Sequence, residues 1–95
     1  MQVAPSPVVE LNRAVAVSMH RGPAAALAIV DALRDERTLR QYQWLPSVRG
    51  DLLEKLGRRD EAHAEYTRAA ALAGNQREKA LLLERARRVR DHAAG

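Results

Sequence analysis

The stretch Arg49-Gly50-Asp51-Leu52-Leu53-Glu54-Lys55-Leu56-Gly57-Arg58-Arg59-Asp60-Glu61-Ala62-His63-Ala64-Glu65-Tyr66 decides the fold. Leu52, Leu53 and Leu56 recur at helical spacing and stop at Gly57, the residue type that most readily adopts the left-handed conformation after a helix C-terminus. Asp60 and Glu61 then supply acids to a first turn, where the helix dipole favours anions. Ala62, Tyr66, Ala69 and Leu72 mark the inner stripe of the helix that follows. Gly50 on the first helix and Ala62 on the second are small enough for the two backbones to approach closely. Two helices joined by a tight turn are expected, the second running from about Asp60 to Leu72.

Upstream, the same unit recurs in a more degenerate form. A shift of 36 residues lays Arg13-Ala14-x-x-Val17 on Arg49-Gly50-x-x-Leu53 and Ala26-x-x-x-Val30-x-x-Leu33 on Ala62-x-x-x-Tyr66-x-x-Ala69. Ser6-Pro7 reads as a helix start, with Ser able to cap free N–H groups and Pro losing nothing at the first helical position. The first helix is expected from Pro7 to His20, with an apolar stripe of Val8, Leu11, Val15 and Met19 and a second apolar flank, so that two of its faces are contacted. Gly22-Pro23 breaks the chain, and a second helix from Pro23 to Arg34 turns Leu27, Val30 and Leu33 inward.

Between the two copies, Thr38-x-x-Gln41 resembles a capping box for the third helix, but Pro46 argues for a start nearer Tyr42 to Trp44. After Gly74, Asn75-x-x-Glu78 is a second capping-box pattern. It opens a fifth helix with Leu82, Ala86, Val89 and Ala93 on one face and charged residues on the other. The expected organisation is a lead over residues 1–7 and one domain over 8–93. That domain comprises a first hairpin over 8–35, a second over 38–73, and a capping helix over 75–93.

Composition agrees with an all-α class. The 95 residues include no Phe, no Cys, one Trp and two Tyr, so the core must come from Ala, Leu and Val in closely packed helices. The hydrophobic share of 46% with 29% charged residues is that of an ordinary globular chain, neither disordered nor membrane-embedded. No apolar run is long enough for a membrane span, and Met1-Gln2-Val3-Ala4-Pro5 lacks the features of a secretory signal, so a cytoplasmic protein is expected. The absence of Cys excludes disulfides and thiolate metal sites. The net charge of +4 is almost wholly confined to residues 75–95, where Arg77, Lys79, Arg85, Arg87, Arg88 and Arg90 outnumber Glu78, Glu84 and Asp91.

Catalytic patterns are missing. His20, His63 and His92 stand far apart, without carboxylate or His partners at metal-ligand spacing. No serine sits in a nucleophile elbow, and the glycines form no phosphate loop. Neither an enzyme nor a cofactor is expected. Arg49-Gly50-Asp51 spells an integrin-type tripeptide, but it falls inside a helix rather than on an exposed loop.

The second copy resembles the tetratricopeptide repeat, with Gly50, Leu53, Gly57, Ala62, Tyr66, Ala69 and Leu72 at the positions of that pattern. Pro46 departs from it where the family usually has Trp, and Arg49 where it has Leu. A second resemblance spans nearly the whole chain. It rests on Pro5-Ser6-Pro7-Val8-Val9-Glu10-Leu11-Asn12-Arg13-Ala14-Val15-Ala16-Val17, on Gly22-Pro23-Ala24-Ala25, and on Arg49-x-Asp51-Leu52-Leu53-x-x-Leu56-Gly57-Arg58. These are similar to the C-terminal tetratricopeptide-like extension of bacterial extracytoplasmic-function sigma factors, which follows their promoter- and polymerase-binding regions.

That resemblance implies stacked antiparallel hairpins in a piece of a longer protein. It also implies a protein-interaction role in transcription initiation: the partner is the remainder of the parent sigma factor, RNA polymerase or a signalling protein, and DNA is reached only through the parent. The family's concave surface would draw on Val8, Leu11, Asn12, Val15 and Met19 in the first copy and on Trp44, Ser47, Asp51, Glu54 and Lys55 in the second. Arg13 and Arg49, which recur at one position of the repeat, have two readings: structural pairing with Glu10, Asp51 or Asp31, or the polar lining of a peptide groove. The Lys/Asn clamp of chaperone-binding relatives is not reproduced, since Leu11 and Val15 occupy its places. The alternative is a nucleic-acid contact through Arg87 and Arg88 of the basic last helix. Homodimerisation through the apolar face of the first helix is a further expectation for an isolated fragment.

Overall fold

The structure is a computed structural model and describes residues 7–94, apart from the side chains of Thr38, His92, Ala93 and Ala94. It consists of α1 (Pro7–Arg21), α2 (Pro23–Leu33), α3 (Trp44–Lys55), α4 (Arg59–Leu72) and α5 (Gln76–Ala94), with a 3-10 turn at Arg37–Leu39. There is no strand among the described residues. The expected Ser6 cap and the expected inward position of the Ala93 side chain lie outside the described residues, as does the Thr38 side chain.

Local chemistry sets the helix ends. Gly22 separates α1 from α2 at φ 90°, and Pro23 opens α2 where an N–H would have had no helical partner. Gly57 ends α3 at φ 78°. There the Arg58 N–H donates to the Leu53 carbonyl at 2.9 Å and the Gly57 N–H to the Glu54 carbonyl at 3.0 Å, the bond pair of a Schellman motif. Asn75 caps α5, its Oδ1 accepting from the Glu78 N–H at 2.8 Å.

The expected capping box at Thr38-x-x-Gln41 does not open α3. Those residues belong to the 3-10 turn and the bend after it, and α3 starts at Trp44 with Gln43 as its cap residue and no side-chain cap. Pro46 therefore falls in the first turn, where a missing N–H breaks no helical bond. Gln43 has another task. Its Nε2 donates to the Glu78 carboxylate and its Oε1 accepts from the Gly74 N–H, both at 3.2 Å, tying the start of α3 to the α4–α5 connection. Glu78 is thus drawn to Gln43 and closes only half of its own capping box.

Helices pack chiefly on their neighbours in the chain: α1 on α2, α2 on α3, α3 on α4 and α4 on α5. The resulting body measures 52 × 31 × 19 Å, and its least dimension is that of two helix layers of about 10 Å each. Ala14, Ala26, Ala62 and Ala69 are fully buried at the crossings, among Leu27, Val30, Leu52, Leu53, Leu82 and Val89. The expected inner stripe of α4 shifts at its end, with Ala70 buried and Leu72 only partly covered. Leu56, last of the α3 leucines, is exposed. No helix among the described residues is long and apolar enough to cross a membrane.

Tyr66 is the largest fully buried side chain. Its ring lies against Gly50, where a Cβ would stand 2.9 Å from Tyr66 Cε1, and its hydroxyl donates to Glu54 Oε1 at 3.0 Å. Burial, then the Glu54 carboxylate, push the phenol far above its ordinary value of 10.0.

Two outcomes follow from this contact. Gly50→Ala is expected to lower stability by about 1–3 kcal/mol in urea denaturation, because overpacking against the ring outweighs the helix-propensity gain of Ala. The folded chain holds the Tyr66 proton at a pH where the unfolded chain releases it. Stability should therefore fall as pH rises past about 10, and Tyr66→Phe should lose less on alkalisation than the parent.

Candidate functional site

Arg49, on α3, is the most deeply placed charge in the molecule's described part, with 6% of its surface exposed. Its Nε donates to Asp31 Oδ1 of α2 at 2.8 Å, and its Nη1 pairs with Glu65 Oε1 of α4 at 3.1 Å. Glu61, one turn before Glu65, approaches Nη2 at 4.0 Å. Arg58 grips the Glu61 carboxylate through Nε and Nη2 at 2.9 and 2.7 Å, and this hydrogen bonding holds Glu61 below the usual carboxylate range. One guanidinium fork thus joins three helices.

Arg13, on α1 and 36 residues earlier, has a different fate. It is exposed and, among the described residues, pairs only with Glu10 one turn back, at 2.9 Å, a bond that lowers the Glu10 carboxyl and raises Arg13. Helices lie on both sides of α3, whereas α1 packs chiefly on α2. Arg49 is therefore structural, whereas Arg13 forms a surface ion pair.

Three of the residues expected on a partner surface, Leu11, Ser47 and Arg49, are buried. Leu11 is 2% exposed and belongs to the core, and Arg49 is occupied by its carboxylates. The rest of the α1 set stays accessible: Val8 is partly covered, while Asn12, Val15 and Met19 are exposed, Met19 at 84%. In the second set, Asp51 and Lys55 pair with each other at 3.0 Å along α3, and Glu54 is engaged by Tyr66. Trp44 is half exposed, at 49%.

Trp44 borders a groove between the start of α3 and α5. The groove encloses about 160 Å³ and is lined by Gln43, Trp44, Ser47, Glu78, Leu81, Leu82 and Arg85. Leu82 is buried beneath it, and Leu81 projects from the α5 side at 59% exposure. Ser47 is buried, and its Oγ has no hydrogen-bond partner. Gln43, Glu78, Leu81 and Arg85 were not expected at a site. The available signal was Leu81, a large apolar residue off the core stripe of Leu82, Ala86 and Val89.

Arg87 and Arg88 lie on a separate exposed stretch of α5, bordered also by Glu84 and Asp91. Arg87 is ion-paired with Glu84. Acids thus alternate with these cations on one face, which weakens the field that a phosphate backbone would meet. Among the described residues no three His, Asp or Glu side chains gather as a metal site. His63 bridges two helices, its Nδ1 standing 2.8 Å from the Ala86 carbonyl.

Over 78 residues, 82% of this chain, the sequence is 51% identical to an uncharacterized protein of Rhizobium meliloti (strain 1021). The chain spans 18% of that protein's length. No family model matches the chain. No solved structure matches it.

The contrast between the two arginines is measurable. Arg49→Ala leaves the largely buried Glu65 and the half-exposed Asp31 without their cation, and should lower stability by about 2–4 kcal/mol in urea denaturation. Arg13→Ala, at a solvent-exposed pair, should leave the denaturation midpoint essentially where it is.

Proposed function

We propose that this chain is a protein-docking module, a tetratricopeptide-like stack of helical hairpins that regulates transcription initiation as part of a larger sigma-factor protein. The observation that carries the docking role is the α3–α5 groove, where Trp44 and Leu81 hold large apolar surface in solvent beside polar groups that would orient a partner. The pairwise packing of consecutive helices, with the Gly57 turn between α3 and α4, supports the hairpin-stack reading. Support for the sigma-factor parentage comes from the run around Pro7–Val17 and the Arg49–Arg58 segment. The Rhizobium meliloti relative has ample length outside the matched stretch for promoter- and polymerase-binding regions.

In this reading the module makes no direct contact with DNA. Its exposed apolar positions meet the remainder of the parent protein, RNA polymerase or a signalling protein, and it biases initiation by favouring one arrangement of those parts.

The test is transcription from a cognate promoter by the longer parent protein, with and without the segment corresponding to residues 8–93. A several-fold change in transcript is expected, and unchanged output would overturn the regulatory role. If the module binds the rest of the parent in trans, raising salt from about 50 to 200 mM should alter affinity only a few-fold, whereas a contact to 6–10 phosphates would weaken by about 10³–10⁵. The steeper response would identify the basic face of α5 as a nucleic-acid contact.

A further inference from the structure

We propose that the side of α1 marked by Val9, Arg13 and Ala16 is covered, in the longer parent protein, by an apolar helix of the α2 kind that sets an Asp or Glu against Arg13. This assignment rests on the parentage and the hairpin stack proposed above, and it names what lies against α1.

α3 shows what such a side requires. Shifted by 36 residues, Val9, Arg13 and Ala16 fall on Leu45, Arg49 and Leu52. At four- and three-residue spacing these share one side of α3, and all three are buried. α2 packs on α3, and its Asp31 accepts from Arg49 Nε at 2.8 Å. Ala24, Leu27 and Ala28 of α2 border Leu56, one turn beyond Leu52. Asp31 is the only charged residue of α2. A helix of small and apolar residues with a single acid therefore meets the arginine side of α3.

On α1 the corresponding side is bare. Val9 is 55% exposed, and Arg13 and Ala16 are exposed. Leu11 and Ala14, the buried residues of α1, lie on nearly the opposite side of the helix. Arg13 and Ala16 border a shallow depression with Val17, His20 and Arg21. Arg13 turns back on Glu10, and Arg21 makes no ion pair among the described residues. Glu10 thus offsets one of two arginines, and the side keeps a positive charge that a carboxylate complements.

Area selects a tethered occupant. α1 has 15 residues, so one side of it is a strip about 22 Å long and 10 Å wide. That is well short of the roughly 800 Å² per partner of a stable complex between free proteins, a second copy of this chain included. A helix on the same polypeptide is held at millimolar effective concentration and needs no such area. The Rhizobium meliloti relative has the length for it, since this chain spans 18% of that protein.

The chain has no Cys, so thiols introduced by Ala16→Cys or Met19→Cys can be followed by peptide mass spectrometry during maleimide labelling. Met19 falls on Lys55 under the same shift, and Lys55 is exposed. The Ala16→Cys thiol should react at least about tenfold more slowly in the longer parent protein than in the 95-residue chain, and the Met19→Cys thiol at similar rates in both. Adding Arg13→Glu should return the Ala16→Cys rate toward that of the 95-residue chain. A benzophenone carried by the same thiol should crosslink to an apolar, acid-bearing segment of the same polypeptide. Arg13, Ala16 and Met19 are exposed, so circular dichroism of the 95-residue variants should match that of the unsubstituted chain.

Equal Ala16→Cys rates in the two proteins, protection lost on dilution, a crosslink to a second molecule, or stronger protection at Met19 than at Ala16 would overturn the assignment. Protection that survives Arg13→Glu would overturn the acidic pairing. The regulatory role is read separately. Unchanged transcription on deleting residues 8–93 with Ala16 protected would reject that role and keep this packing, and altered transcription with Ala16 unprotected would do the reverse.

Discussion

The close approach of α3 and α4, with the Tyr66 ring laid on Gly50, is the constraint on which the remaining architecture depends. It sets the depth at which α3 sits against α4, and so brings Arg49 into reach of Glu65. The same guanidinium extends to Asp31 and thereby fixes α2 on the other side. Such an ion pair gives specificity more surely than net stability, because each charge surrenders hydration to be there. The fork of Arg49 meets carboxylates from both flanking helices in this register.

The groove is a by-product of the same arrangement. Gln43 binds the Gly74 N–H and the Glu78 carboxylate, which draws the start of α5 toward the start of α3 and leaves Trp44 facing Leu81 across a cleft. Its polar groups divide into those already satisfied by the fold and those left over. Glu78, Glu54 and Asp51 belong to the first kind, Ser47 Oγ and Arg85 to the second. Glu78 and Arg85 both line the groove, so its formal charges balance.

The all-helical class and the helix boundaries were readable because they rest on short-range chemistry. Gly22, Gly57 and Gly74 mark ends by backbone conformation or lack of propensity, and Asn75 marks a start through its own side chain. The small residues Ala14, Ala26, Gly50 and Ala62 were readable as crossing points for a similar reason: only close packing makes use of them. Thr38-x-x-Gln41 misled, because a capping pattern does not specify whether a 3-10 turn or an α-helix follows it. Arg13 and Arg49 have the same local pattern, and their difference lies entirely in how many helices surround them, which no local pattern encodes. Leu11 misled in the same way, since the apolar stripe of α1 does not disclose which of its edges is covered. Gln43 reaches Gly74 and Glu78 across more than thirty residues, so the α3–α5 groove had no sequence-local signature beyond the surplus Leu81.

The near-linear order of helix contacts also has a kinetic meaning. Most contacts are between helices adjacent in the chain, so little loop-closure entropy opposes assembly and folding is expected to be fast. Cohesion is uneven along the series. α1 is held mainly by α2, with no carboxylate bridge to a third helix among the described residues, whereas α4 is clasped by α3 and α5 and by the side-chain bonds of Tyr66 and His63. Thermal opening would thus begin at the N-terminal end and stop at Arg49, the first residue whose release frees two helices at once. Cohesion thus falls off toward α1, whose exposed Val15 and Met19 lie on the edge most easily detached.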